Sequence, residues 1–151
     1  MVIHELTPAE CRDALTRTTL GRLGCAHENQ PYITPIYFSY DAAENCVYSF
    51  ATAGQKIEWM RGNPRVCLEL DDIVDQANWT TVLAFGRFEE LAAGPGQSAA
   101  LDRARELFEQ RPAWWLPAAS KLVSGHEHAS PVIYRIRLDH VTGRRTAGKS
   151  A

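Results

Sequence analysis

Two segments of this chain alternate apolar and polar residues with a period of two, and this pattern constrains the fold more than any other feature. In residues 65–71 the apolar members are Val66, Leu68 and Leu70, with charged residues on either side of them. Residues 132–140 repeat the pattern. Because successive side chains of a strand point to opposite faces, each segment predicts a strand with one buried and one polar face.

The rest of the chain predicts more strands and a few helices in irregular order. Gly86 lies in the middle of a long apolar segment, where a closed sheet needs to coil or bulge. The lack of regular strand–helix alternation argues against a doubly wound fold. We expect a single domain over residues 1–151, a mostly β, six-stranded antiparallel barrel with helical decorations. The predicted strands are 20–27, 31–40, 47–51, 65–71, 78–91 and 132–140, and the predicted helices are 8–16, 52–61, 98–110 and 113–122.

Composition excludes several classes of function. The formal net charge is −2, so the chain has no pervasive basic field for nucleic acid. No apolar run approaches the roughly 20 residues of a membrane span, and residues 1–5 show no secretory signal. The four cysteines are widely spaced without a Cys-x-x-Cys motif, which favours reduced thiols in a cytoplasmic protein over two disulfides.

Several conspicuous residues have ordinary interpretations. His126 and His128 stand in an expected loop, so we predict no metal site there. Trp114 and Trp115 are better suited to helix packing than to ligand stacking. Residues 132–151 carry an excess of positive charge, which indicates either a solvated strand face and tail or an anionic ligand nearby, and composition favours the first.

The segment after the third predicted strand indicates an anion site. Thr52 and Gln55 fit a capping box, so a helix is expected to start directly after the strand. Lys56 then falls in the first turn, where a cation opposes the helix dipole at a cost of about 0.3–1 kcal/mol. A bound anion such as phosphate would reverse that sign. A solvated lysine that points away from the helix end is an equally good interpretation of this feature alone.

Pro35 interrupts an otherwise regular strand. Proline donates no ladder hydrogen bond, so it belongs at a sheet edge, a bulge or an opening in the ladder. The backbone of Ile33 and Thr34 would then face a bound heterocycle instead of a neighbouring strand. A plain edge strand is the alternative.

Taken together, these residues resemble the pyridoxamine 5′-phosphate oxidase-like, FMN-binding split-barrel family. The likeness is closest to its small flavin-binding branch, which includes nitroimidazole-resistance proteins. It covers residues 5–91 and resumes near 132–145, and the order and spacing of the segments are its specific part. The segments that carry it are 20–24, 31–38, 50–60, 63–70, 79–88 and 141–144.

The resemblance implies a split barrel that forms a homodimer, with FMN in clefts at the subunit interface. The strand around Pro35 would line the edge of the isoalloxazine ring, and Ser49 would lie beside the ring and the ribityl chain. Lys56 and its neighbours would hold the phosphate, and Thr81 would face the cofactor from one of the two subunits. The cofactor-binding residues implied in this way are Ile33, Thr34, Pro35, Ile36, Ser49, Phe50, Gly54, Gln55, Lys56 and Thr81.

Three departures bear on the substrate. Pyridoxamine phosphate oxidases carry Arg and Lys where this chain has Ile33 and Phe38, and an Arg-x-His motif that its C-terminal end lacks. The nitroimidazole-resistance branch often has His at the position of Ser49. The resemblance therefore implies an FMN-dependent oxidoreductase that acts on another small organic substrate, with no side chain identified as catalytic. The alternative is a non-catalytic module that binds, stores or senses a flavin, haem or deazaflavin.

Overall fold

The computed structural model describes residues 1–111 and 131–147, which contain eight strands and three helices. All paired strands are antiparallel, as the sequence predicts. The strands are β1 (Val2–Glu5), β2 (Leu20–His27), β3 (Gln30–Tyr37), β4 (Ser39–Asp41), β5 (Cys46–Ala51), β6 (Arg65–Asp75), β7 (Asn78–Leu91) and β8 (Val132–Ala147). The helices are α1 (Pro8–Arg17), α2 (Gln55–Gly62) and α3 (Ser98–Glu109).

The sheet closes on itself but leaves a gap, which confirms the expected split barrel. Its strand order is β3-β2-β6-β7-β8-β5-β4, with β1 added beside β8. The strands at the two ends of this order, β3 and β4, are joined by the single residue Phe38. The sheet must therefore curl until its ends meet, although no ladder is formed between β3 and β4.

The expected count of six strands is wrong. The segment expected as one strand over residues 31–40 divides at Phe38, whose backbone N–H donates to the Thr19 carbonyl at 2.9 Å. The N-terminal strand β1 was not anticipated, because its four residues are all exposed and show no buried face. It forms only by pairing with the end of β8, where Val2 lies opposite Ala147.

The barrel interior is apolar. The alternating segments behave as predicted, since Val66, Leu68 and Leu70 of β6 are all buried. Tyr134, Ile136 and Leu138 of β8 are buried as well. The register between β7 and β8 shifts at Gly86, which confirms the expected bulge. A Cβ atom on Gly86 would lie 2.2 Å from the Arg137 carbonyl oxygen, so only glycine fits this close approach.

The helices pack against the sheet through their apolar faces. Thr7 and Glu10 form the capping box expected for α1, with the Thr7 N–H donating to the Glu10 carboxylate at 2.8 Å. Helix α2 buries Ile57 and Met60 in the core. Helix α3 covers a second, smaller apolar cluster around Tyr48. Within the described residues, no helix is long and apolar enough to cross a membrane.

Candidate functional site

The first turn of α2 carries no side-chain cap from the described residues. Gly54 occupies its N-cap position in an extended conformation. The capping box expected from Thr52 and Gln55 is wrong, because residues 52–54 make the turn out of β5 and the helix begins only at Gln55. Its first N–H groups therefore have no side-chain partner among residues 1–111 and 131–147, and free N–H groups at a helix start can bind an anion.

Lys56 lies in this first turn and is half-buried. Burial lowers the pKa of the Lys56 ammonium, and the neighbouring Cys25 thiol opposes that shift. No carboxylate of the described residues is among the groups that influence it. A desolvated cation at the positive end of a helix is doubly unfavourable, and a bound anion would relieve both terms. The residues present thus fit a phosphate group.

Ser49 bridges the split in the barrel. It is 2% exposed, and its hydroxyl donates to the Tyr37 carbonyl oxygen at 2.7 Å, which links β5 to β3. Tyr134 lies opposite Ser49 in β8. The Tyr134 hydroxyl is fully buried with no hydrogen-bond partner in the described part of the chain. Burial raises the pKa of Tyr134 to about 12.

The segment of β3 around Pro35 is at a sheet edge, one of the positions predicted for it. Of the strands that the structure describes, β3 pairs only with β2, and Pro35 lies opposite Arg22. Ile33 is 72% exposed, Thr34 is half-buried, and Ile36 is buried in the core. One side of this backbone is therefore available to a ligand.

One cavity lies beside the first half of β3. It has a volume of about 480 Å³, and Ile33 and Cys25 both line it, whereas no residue of α2 does. Cys25 is also the thiol whose charge interacts with Lys56. Phe50, by contrast, makes an edge-to-face contact with Phe108 of α3, with ring centroids 5.1 Å apart.

Thr81 is not brought to the same cavity. It lines a separate cavity of about 400 Å³ together with Leu83 and Arg144. Arg144 lies opposite Thr81, so the basic C-terminal strand does reach a cavity, whereas Arg145 forms an ion pair with Glu10 at 3.0 Å. Within a single chain the predicted site residues are therefore divided, because Ile33 and Thr81 line different cavities and Gly54, Gln55 and Lys56 line neither.

Sequence reasoning missed several side chains that line the larger cavity. Cys67, Phe85, Arg65 and Arg87 come from β6 and β7, and they meet there only because of the strand register. The alternation of apolar and polar residues marks their faces, but it does not say which residues lie opposite each other.

The predictions about metal ligands and tryptophans fall on residues outside the described part of the chain, namely His126, His128, Trp114 and Trp115. Among the residues that are described, no group of three or more His, Cys, Asp or Glu side chains is arranged to hold a metal ion.

Comparisons with known proteins extend these observations. The chain is 33% identical over 146 residues to an uncharacterized protein of Rhizobium meliloti, covering 95% of each chain. It is 34% identical to a FAD-binding protein from Mesorhizobium loti, with a TM-score of 0.74 over 97% of this chain and 100% of that one.

A candidate 5-nitroimidazole antibiotic resistance protein from Bacteroides thetaiotaomicron has the same fold. It is 16% identical, with a TM-score of 0.65 over 96% of this chain and 89% of that one. The family model described as pyridoxamine 5′-phosphate oxidase matches residues 7–145. The expected resemblance is confirmed, and the chain belongs to the pyridoxamine 5′-phosphate oxidase family of flavin-binding split barrels.

Proposed function

We propose that this chain is an FMN-dependent oxidoreductase that transfers hydride or electrons to or from a small organic substrate. The observation that carries the proposal is Lys56, a partly desolvated cation without a carboxylate partner among the described residues, in the uncapped first turn of α2. A phosphate monoester satisfies that site in charge and in hydrogen bonding. The family is one of flavin-binding proteins, and FMN is the flavin that ends in a phosphate monoester.

When bound, FMN supplies the two-electron redox chemistry, and the protein binds and orients it. Gly54, Gln55 and Lys56 hold the phosphate through backbone N–H groups and the ammonium. Ser49, which is fixed by its bond to the Tyr37 carbonyl, lies with Phe50 beside the ring and the ribityl chain. The edge of the ring is lined by four residues of β3: Ile33, Thr34, Pro35 and Ile36. Thr81 is contributed by the second subunit.

The proposed assembly is a homodimer with the cofactor at its interface. Two observations support it: Thr81 lines a different cavity from Ile33, and one face of the barrel exposes large apolar side chains. Phe85 is 42% exposed and Leu83 is 39% exposed, both on β7. A second copy that covers this face would bury them and complete the site.

The phosphate contact is tested by comparing FMN with riboflavin, which lacks the phosphate. Lys56→Met keeps much of the apolar stem and removes the charge. It is expected to weaken FMN binding by about 10–100-fold, because a hydrogen bond to a charged group contributes about 1.5–3 kcal/mol. Riboflavin binding should change less than about twofold on the same reasoning.

The matched control is Arg61→Gln on the same helix. The Arg61 guanidinium is already held by Glu58 and Glu90, both at 2.7 Å, so its loss should leave FMN affinity unchanged. Equal losses of FMN and riboflavin in Lys56→Met would show that Lys56 has a structural role instead. Mass analysis of the flavin released from purified protein decides between FMN and FAD.

A non-catalytic flavin-binding module is the second candidate, and one observation favours it. The charged side chains of the described residues that line the 480 Å³ cavity are Arg65, Arg87 and Asp139. No histidine is among the described residues that line this cavity, and histidine is the side chain that most often transfers protons near neutral pH. Anaerobic mixing of the flavin-loaded protein with reduced nicotinamides and a substrate panel separates the candidates, since only the enzyme should turn over.

A further inference from the structure

A row of arginines crosses three neighbouring strands of the barrel. Arg65 of β6 lies directly opposite Arg87 of β7, and Arg87 lies directly opposite Arg137 of β8. Directly opposed residues share one face of a sheet, with Cβ atoms about 4.5–5.5 Å apart. Like charges in this arrangement repel, so the row needs compensation.

Only one end of the row has a carboxylate partner within the described chain. The Arg137 guanidinium donates to the Glu89 carboxylate at 2.9 Å. Arg65 and Arg87 are both exposed, and no carboxylate of the described residues forms an ion pair with either. Asp139 lines the same cavity without pairing with them, so the three groups leave a net charge of about +1.

The two unneutralised arginines stand beside an apolar floor. Ile33, Gly24, Cys67 and Phe85 follow one another across β3, β2, β6 and β7 in direct register. The Phe85 ring stacks against His140, with centroids 6.1 Å apart and planes 26° apart. Gly24 has no side chain, so the floor stays low in its middle, and Arg65 and Arg87 border the same 480 Å³ cavity.

The geometry points to a second phosphate site, formed by Arg65 and Arg87 at the edge of this floor. Neighbouring strands lie about 4.8 Å apart, so two guanidinium groups can reach the same anion. A phosphate ester fits two cations better than a carboxylate does, because it carries up to about two charges and three acceptor oxygens. The flat apolar floor suits a planar ring, so the ligand class is a nucleotide.

Two ligands carry this chemistry. One is FAD. Its flavin-side phosphate would bind at the first turn of α2, and its other phosphate would reach Arg65 and Arg87. The other is a separate nucleotide that exchanges electrons with a bound flavin. The inference rests on the proposed function only in assigning the first phosphate to Lys56.

The test uses Arg65→Gln, Arg87→Gln and the double variant, with Arg105→Gln on α3 as the control. Arg105 is exposed, and its only described ion pair is a 3.6 Å contact with Asp102 in the same helix. Each protein is titrated with FMN and with FAD, and the FMN-loaded protein is titrated with ADP. Each loaded protein is also examined by sedimentation.

In the double variant, a loss of FAD affinity of about tenfold or more, with FMN unchanged, assigns the second phosphate to a dinucleotide flavin. If the affinities for FMN and FAD are unchanged and the affinity for ADP falls by a similar factor, the second phosphate belongs to a separate nucleotide. The variants without ligand should melt at the same temperature as the wild type or higher, because the substitutions remove repulsion.

Three results would overturn the inference. If the double variant loses as much affinity for FMN as for FAD, both arginines contact the first phosphate. If the affinities for FAD, FMN and ADP are all unchanged, the row of arginines is an ordinary solvated face. Weakened dimers with unchanged nucleotide affinities would show that a carboxylate of the second subunit neutralises the row. Lys56→Met reports separately on the first phosphate, so the proposed function fails or stands independently of these outcomes.

Discussion

Replacing Glu89 with Gln should destabilise the barrel in a pH-dependent way. Glu89 of β7 accepts hydrogen bonds from two arginines of β8: Arg135 at 2.9 and 3.0 Å, and Arg137 at 2.9 Å. The hydrogen bonds from Arg135 are the largest cause that lowers the pKa of Glu89 from 4.5 to about 2. This carboxylate joins the two longest strands, on which Thr81 and Arg144 depend for their position.

The magnitude follows from the pKa shift. A shift of about 2.5 units corresponds to about 3 kcal/mol as a ceiling, at about 1.36 kcal/mol per unit. The Glu89 side chain is 33% exposed, so solvent screening reduces the expected contribution to about 1–2 kcal/mol. Because the folded pKa lies below the unfolded one, this stability is complete above pH 4.5 and is lost as the pH falls towards 2.

Urea unfolding of the wild type and of Glu89→Gln at pH 7 and pH 3 measures this contribution. The wild type should exceed the variant by about 1–2 kcal/mol at pH 7, and by less than half of that at pH 3. Glu106→Gln is the control, since Glu106 is exposed and pairs only with Arg103 of its own helix among the described residues. A difference that stays constant or grows towards pH 3 would refute the reasoning.

Two other substitutions test the barrel interior. Gly86→Ala places a Cβ atom 2.2 Å from the Arg137 carbonyl oxygen and should cost about 1–3 kcal/mol by urea unfolding, whereas Gly62→Ala, with no heavy atom within 4 Å, should not destabilise. Tyr134→Phe removes a buried hydroxyl without a described partner, so the free energy of unfolding should stay equal or rise by up to about 1 kcal/mol. A clear decrease in the free energy of unfolding would instead mean that the hydroxyl is hydrogen-bonded.

The sequence predicts the segments that carry their own periodicity. The strand over residues 78–91 has the expected bounds, and the bulge occurs at Gly86, because glycine is the only residue that tolerates the approach of β8 there. The capping box of Thr7 and Glu10 is local, so four residues are enough to specify it.

Features that depend on distant partners escaped prediction. β1 has no buried face of its own, and it becomes a strand only because β8 offers an edge. The late start of α2 reflects the turn out of β5, which overrides the capping tendency of Thr52. The cross-strand pair of Arg65 and Arg87 depends on register, which alternation alone leaves open.

Placing one cofactor between two copies links flavin binding to association. Phe85 and Leu83 are exposed in the single chain, and Thr81 lines a different cavity from Ile33. If the flavin contacts both copies, each process must strengthen the other by the same factor. Diluting the loaded protein through its dissociation range should therefore release flavin, which free-flavin fluorescence detects.

Leu83→Asp gives the same test at fixed concentration. It places a charge on the exposed face of β7 and should produce a monomer, with FMN affinity reduced by about tenfold or more. Arg17→Asp makes a similar change of charge in the last turn of α1, in an element other than β7, and serves as the control. A monomeric Leu83→Asp variant that binds FMN as tightly as the wild type would show that one chain holds the whole cofactor, and that Thr81 takes no part in binding it.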